Sequence, residues 1–221
     1  MKHHRYCLLL FIAISLTNLV SAQDRAPFSN DILQFRKSDS AAFPAAGQVL
    51  FIGSSSFTNW RDVNDYFPGV RILNRAFGGS SLPDLIRYRY QAIFPYRPRQ
   101  IVIYCGENDF AASDTVTVDI VLDRFRSLYG LIRAWDPKVP LLYVSMKPSP
   151  SRAHLMQKYT EANRRIREIM EQDRHGDYAD VYTKMLKPDG TPMDDIFGPD
   201  RLHMTAKGYA IWKDVLKKKL K

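Results

Sequence analysis

The chain has 221 residues, 45% of them apolar and 25% charged, the balance of a globular protein with core enough for one domain and too few residues for two full ones. Its formal charge is +9, but the basic residues are scattered along helical patterns or gathered at Lys217, Lys218, Lys219 and Lys221. Basic and aromatic residues do not cluster in a recognisable binding module, so the charge implies solvated helix faces and no nucleic-acid partner.

In chain order, Lys2, His3, His4 and Arg5 precede an apolar run from Cys7 to Ile14, and the small-residue sequence Val20-Ser21-Ala22 follows. This is the pattern of a secretory signal over residues 1–22, leaving Gln23 as the new N-terminus of a protein that is secreted or periplasmic. The alternative, an uncleaved anchor, is disfavoured because the run falls short of the ~20 residues that cross a bilayer. Cleavage removes Lys2 and Arg5 and no acidic residue, so the mature charge falls from +9 to +7. Cys105 is then the one cysteine left, and no internal disulfide can form. After cleavage no stable membrane insertion is expected.

Residues 23–47 are polar and weakly patterned, an N-terminal extension with an amphipathic stretch near Asp31 to Arg36 that suits a short helix outside the core. Residues 48–221 form the main domain. Apolar runs at Val49 to Gly53, Val70 to Phe77, Ile101 to Tyr104 and Val139 to Ser145 are of the type expected for strands buried on both faces. Helical patterns lie between and after them: Leu82 to Phe94 with Pro83 in its first turn, Val118 to Trp135, His154 to Gln172, and about Thr205 to Leu220 with Thr205 as N-cap. This alternation predicts an α/β fold, a three-layer α/β/α sandwich around a parallel, flavodoxin-like sheet. Ligands of such sheets bind at the carboxyl ends of the strands.

Three of those strand ends are rich in small or amide-bearing residues: Gly53-Ser54-Ser55-Ser56, Gly78-Gly79-Ser80-Ser81 and Gly106-Glu107-Asn108-Asp109. Each alone is an ordinary strand-to-helix turn. Together they offer a serine, a glycine amide and an asparagine amide at one edge, the groups an acyl-transfer site needs as nucleophile and oxyanion donors. A base oriented by a carboxylate is the remaining requirement, and Asp200-Arg201-Leu202-His203 supplies both. Of the other histidines after residue 22, His154 stands beside a Pro-Ser-Pro-Ser loop and His175 in a polar helix end, Arg174-His175-Gly176-Asp177. Neither has an aspartate placed as Asp200 is.

From Val49 to Tyr209 this order of segments resembles the SGNH hydrolase superfamily, the GDSL-like esterases and lipases. The resemblance implies Ser55 as nucleophile, Asp200 and His203 as orienting acid and base, and an oxyanion hole of Ser55 N–H, the Asn108 amide and a glycine. Alignment on Asn74 places that glycine at Gly79, with Gly78 as the alternative. Ser54 stands where the family usually has aspartate, and the three consecutive serines leave Ser54 and Ser56 as alternative nucleophiles.

The expected activity is hydrolysis of small acyl esters, acetyl above all, on a small molecule or a glycan. A lysophospholipase or thioesterase, and an acyltransferase, would use the same site, and an inactive carbohydrate-binding module is the alternative of another class. Lys147 and Arg152, in the segment Lys147-Pro148-Ser149-Pro150-Ser151-Arg152 after the fourth strand, are candidates to receive an anionic or sugar-bearing substrate, the alternative being a turn with exposed charges. No cofactor is expected, since neither a metal-ligand set nor a phosphate-binding Gly-x-x-x-x-Gly-Lys segment occurs. Cys105 is expected to be a buried core residue.

Overall fold

In the computed structural model, which describes residues 26–221, the apolar runs become strands of one sheet. The signal segment read from residues 1–22 lies outside the described residues. The strands are β1 (Val49–Gly53), β2 (Ile72–Asn74), β3 (Gln100–Tyr104), β4 (Leu141–Val144) and β5 (Gly176–Ala179). They lie in the order β2-β1-β3-β4-β5 with every pairing parallel. β1, β3 and β4 are buried at every position, which is why their sequences are continuously apolar and do not alternate.

The helices are α1 (Ser29–Ala41), α2 (Ser55–Thr58), α3 (Val63–Tyr66), α4 (Leu82–Arg87), α5 (Arg89–Ala92), α6 (Glu107–Ala111), α7 (Val118–Trp135), α8 (Met156–Gln172) and α9 (Ala206–Leu216). Alternate strand residues point to opposite faces, so the sheet divides the core in two. Leu50, Ile52, Ile101, Ile103, Leu141 and Tyr143 pack with Leu85 of α4, Phe125 and Ile132 of α7, and Tyr159 and Ile166 of α8. Val49, Phe51, Val102, Leu142 and Val144 pack on the other side with Phe57 of α2, Val63 of α3, and Trp212 and Leu216 of α9. The expected three-layer arrangement is the one observed.

α7 shows how local sequence and burial agree. Thr117 accepts a hydrogen bond from Ile120 N at the N-cap, 3.3 Å, and Val121, Leu122, Phe125, Leu128 and Ile132 are buried along one face. Each such side chain contributes roughly 1.5–3 kcal/mol by leaving water.

Elsewhere the chain departs from the expected elements. β5 was not expected: Gly-Asp-Tyr-Ala carries no β-branched residue, and as an edge strand it is buried only in its second half. The helical pattern of Leu82 to Phe94 is interrupted at Tyr88 and ends in a 3₁₀ turn, Phe94–Tyr96. Ile93 has a non-helical backbone, and Pro95 has no N–H to donate to a continuing α-helix. His154 falls in a second 3₁₀ turn, Pro150–Leu155, ahead of α8. Thr205 does precede α9, but its side chain makes no capping hydrogen bond. α1 is longer than the stretch read from sequence and is fastened down: Ile32 joins the core, and Asp39 pairs with Arg75 and accepts from Tyr96 Oη at 2.6 Å.

Candidate active site

β1 lies between β2 and β3, so the strand order reverses at β1, and open parallel sheets bind their ligands outside the carboxyl ends of the strands at such a point. The two strands end in close contact. A Cβ on Gly53 would lie 1.9 Å from the Tyr104 carbonyl oxygen, and Gly53 has φ of +135°, so only glycine fits there. Ser54 N donates to that same carbonyl at 3.0 Å, and the chain turns into α2 with Ser54 as N-cap and Ser55 as first helical residue.

The loops after β1, β2 and β3 are bonded into one frame. Phe77 N and Ser80 Oγ both donate to the Gly53 carbonyl, at 3.0 and 2.9 Å. Asn74 Nδ2 donates to Phe57 O in α2 at 2.7 Å, and its amide oxygen accepts from Ala76 N at 3.1 Å. Asn108 Nδ2 donates to Ser54 Oγ at 2.7 Å and to Ser80 O at 3.0 Å. Asp109 is fully buried and accepts from Leu82 N at 3.0 Å and from Arg124 at 2.9 Å, joining the glycine loop to the Asn108 loop. Burial pushes the Asp109 carboxyl up, against these hydrogen bonds and the Arg124 charge, which pull it down.

Within this frame the three serines are not equivalent. Ser54 and Ser56 are buried, and Ser54 Oγ already accepts from Asn108. Ser55 alone is half-buried. Gly78 lies directly beside it: a Cβ there would stand 3.9 Å from Ser55 Cβ. The peptide unit joining Gly78 to Gly79 is therefore next to Ser55, and its N–H belongs to Gly79, whose φ is +85°.

His203 Nδ1 and Asp200 Oδ2 are 2.5 Å apart. The other oxygen of Asp200 accepts from the backbone N–H of Leu202 and of His203, both at 3.0 Å. Those two backbone hydrogen bonds, with the imidazole contact, hold the Asp200 carboxyl at about 2. The segment is secured by Gly198 N donating to His203 O at 2.8 Å, by Thr205 N donating to Ile196 O at 2.9 Å, and by Ser151 N donating to Arg201 O at 3.1 Å. Tyr209 of α9 donates to Ser56 O at 2.9 Å, which ties the helix following His203 to the helix carrying Ser55. Ser55 Oγ makes no hydrogen bond to His203.

The expected substrate-binding role of Lys147 is corrected by its burial. Its side chain is 1% exposed and Nζ contacts both carboxylate oxygens of Glu107, at 3.1 and 3.2 Å, so it has no path to a ligand and is no exposed turn charge either. Arg152 is half-buried, and its Nη2 donates to Asn108 Oδ1 at 2.9 Å. Cys105 is buried, as expected, and burial pushes its thiol well above the ordinary range. Glu107, Asp109 and Ser80 were missed as organising residues, since a short polar side chain after a strand carries no local sign of its distant partner. Phe28 was missed too: its ring lies about where a Gly79 Cβ would touch it, 3.7 Å away, and 5.3 Å from the Phe77 ring. Among the described residues no cluster of histidine, cysteine, aspartate and glutamate suits a metal ion.

Residues 45–211 match the model of the GDSL-like lipase/acylhydrolase family. Comparison with curated proteins yields no match. Among solved structures, a Streptococcus pneumonia protein described as a candidate platelet activating factor superposes with a TM-score of 0.76 at 17% identity, covering 98% of this chain and 99% of that one. A GDSL-like lipase from Bacteroides thetaiotaomicron gives 0.72 at 22% identity, covering 86% and 96%. An acetylxylan esterase from Geobacillus stearothermophilus gives 0.64 at 15% identity, covering 80% and 95%. These likenesses fix the fold, and the family match extends over most of the chain, so the protein belongs to the GDSL-like lipase/acylhydrolase family and is a carboxylic ester hydrolase.

Proposed function

We propose that the protein hydrolyses small acyl esters, acetyl esters of carbohydrate in particular, through an acyl-enzyme on Ser55. The observation that carries this reading is the inequality of the three serines: only Ser55 is half-exposed, at the start of α2 beside the Gly78–Gly79 peptide. Asp200, ionised at any pH above about 2, accepts a hydrogen bond from the Nδ1–H of His203 and so leaves Nε2 as the base. Nε2 takes the Ser55 proton as Oγ attacks the acyl carbonyl carbon. The developing oxyanion is held by Ser55 N–H, Gly79 N–H and the Asn108 amide. Collapse breaks the ester bond, with the proton passing from His203 to the leaving alcohol. Water, deprotonated by the same imidazole, then attacks the acyl-enzyme and releases the carboxylic acid.

The acetyl-carbohydrate assignment is supported by the fold shared with an acetylxylan esterase, and by a sequence with no long apolar insertion that would serve as a lipase lid. Such a substrate lies outside the cytoplasm, in keeping with export by residues 1–22. N-terminal sequencing of the exported protein is expected to begin at Gln23.

The test is hydrolysis of p-nitrophenyl esters from acetyl to long acyl, with acetylated sugars, by wild type and Ser55→Ala. Activity is expected to be greatest on acetyl esters and lost in the variant. A Ser55→Ala protein as fast as wild type overturns the nucleophile, and a preference for long acyl chains overturns the substrate.

A further inference from the structure

We propose that the segment Lys147-Pro148-Ser149-Pro150-Ser151-Arg152 is a two-point clamp on Glu107 and Asn108, with Arg152 a positioning residue that fixes the orientation of the Asn108 amide, its NH₂ end toward Ser54 and Ser80. It rests on the reading of Asn108 as an oxyanion donor.

β3 and β4 are neighbours in the sheet, so the segment that leaves β4 passes over the one that leaves β3. Its start is rigidly placed: buried Asn163 of α8 accepts from Met146 N and donates to Met146 O, both at 2.9 Å. Met146 also fills the space beside Gly106, where a Cβ would come within 2.9 Å of its sulfur. Lys147 next grips the Glu107 carboxylate, which also accepts from the Tyr104 hydroxyl. The chain turns through Pro148 and Pro150, and Arg152 reaches the adjacent residue, donating to Asn108 Oδ1 at 2.9 Å. Ser151 N meanwhile bonds Arg201 O in the Asp200 to His203 loop. One short segment thereby touches both halves of the site.

The chemistry of the amide explains the use of a cation. An asparagine amide is flat, and its two orientations about the terminal torsion are nearly equal in shape. A guanidinium bound to the oxygen forces the NH₂ end to the opposite side, toward Ser54 Oγ and Ser80 O. The hydrogen bond is charge-assisted, and by drawing electrons onto the oxygen it makes the N–H groups better donors. Arg152 thus acts on the reaction through Asn108, with its guanidinium already engaged there.

The experiment is a double-mutant cycle with Arg152→Ala, Asn108→Ala and the double variant, measured on p-nitrophenyl acetate and on the anionic ester 4-acetoxybenzoate. Asn108→Ala is expected to lower kcat by about 10²–10³, the usual loss for one oxyanion donor. Arg152→Ala is expected to lower kcat by roughly 10- to 100-fold on both esters, a part of that donor's effect, with KM little changed. The double variant should be no slower than Asn108→Ala alone. If Arg152→Ala folds poorly, Arg152→Lys and rescue of Arg152→Ala by added methylguanidine carry the test, and recovery of kcat is the expected result. Additive losses in the double variant, or a KM rise confined to the anionic ester, overturn the clamp and make Arg152 a substrate contact. A fully active Asn108→Ala beside an inactive Ser55→Ala overturns the oxyanion reading instead.

Discussion

Glu107→Gln removes one buried negative charge beside Lys147 and leaves the side chain's shape intact, so no cavity confuses the outcome. Lys147 is 1% exposed and Glu107 8%, with both oxygens within 3.2 Å of Nζ. Breaking a pair this deeply buried leaves an uncompensated ammonium, which costs roughly 3–5 kcal/mol. For a chain of this size that is about 6–20 °C in Tm, and a large share of a typical stability of about 5–15 kcal/mol.

The pH dependence has a definite sign. Burial lowers the Lys147 pKa and Glu107 opposes that shift; without Glu107 the folded-state value falls further below the unfolded one. Between those two values the unfolded chain binds more protons, so the variant's stability rises with pH. The deficit is greatest at neutral pH and below, and it shrinks as pH climbs toward the ordinary lysine range. Urea unfolding followed by the fluorescence of buried Trp60 and Trp212 reads both effects. Glu107→Leu/Lys147→Met, which removes both charges, is expected to recover most of the loss. A Glu107→Gln protein within 1 kcal/mol of wild type at pH 7, or a double variant as unstable as the single one, would refute the reasoning.

Three further outcomes are expected. Gly53→Ala sets a Cβ against the Tyr104 carbonyl at a φ of +135°, and expression trials with circular dichroism should show it unfolded or destabilised by more than about 3 kcal/mol. Ser54→Ala, which removes the acceptor for Asn108 but not the nucleophile, should keep kcat within about tenfold of wild type; complete loss of the burst of nitrophenol would assign the nucleophile to Ser54. Asp200→Asn should lower kcat on the order of 10³- to 10⁴-fold by releasing the wrong imidazole tautomer. Because the Asp200 pKa is depressed to about 2, its contribution to stability is present above the ordinary carboxylate value and is lost as pH falls toward 2. Acid titration of wild type and Asp200→Asn should therefore converge near pH 2.

The elements that were legible in the sequence owe that to strong local patterning. β1 and β3 were evident from continuous apolar runs, and α7 from its three-and-four spacing between Thr117 and Trp135. β5 was not, because an edge strand needs few apolar residues. Gly53, Asn108 and the Asp200–His203 pair were legible as candidates because the turns after strands are short and their residue types unusual. The role of Lys147 was misread for the opposite reason. A lysine after a strand looks solvent-facing until its partner is known, and Glu107 is 40 residues away.

Sequence alone thus determined the α/β class, the parallel sheet and the serine, histidine and aspartate candidates, since periodicity and turn chemistry are properties of neighbours along the chain. Tertiary structure decided which of three adjacent serines is accessible, and that Arg152 donates to Asn108. It also decided that Ser54, Ser80 and Asp109 lock three loops together. Those pairings join residues 27 to 54 positions apart, and they exist only because the strand order places β1, β2, β3 and β4 side by side.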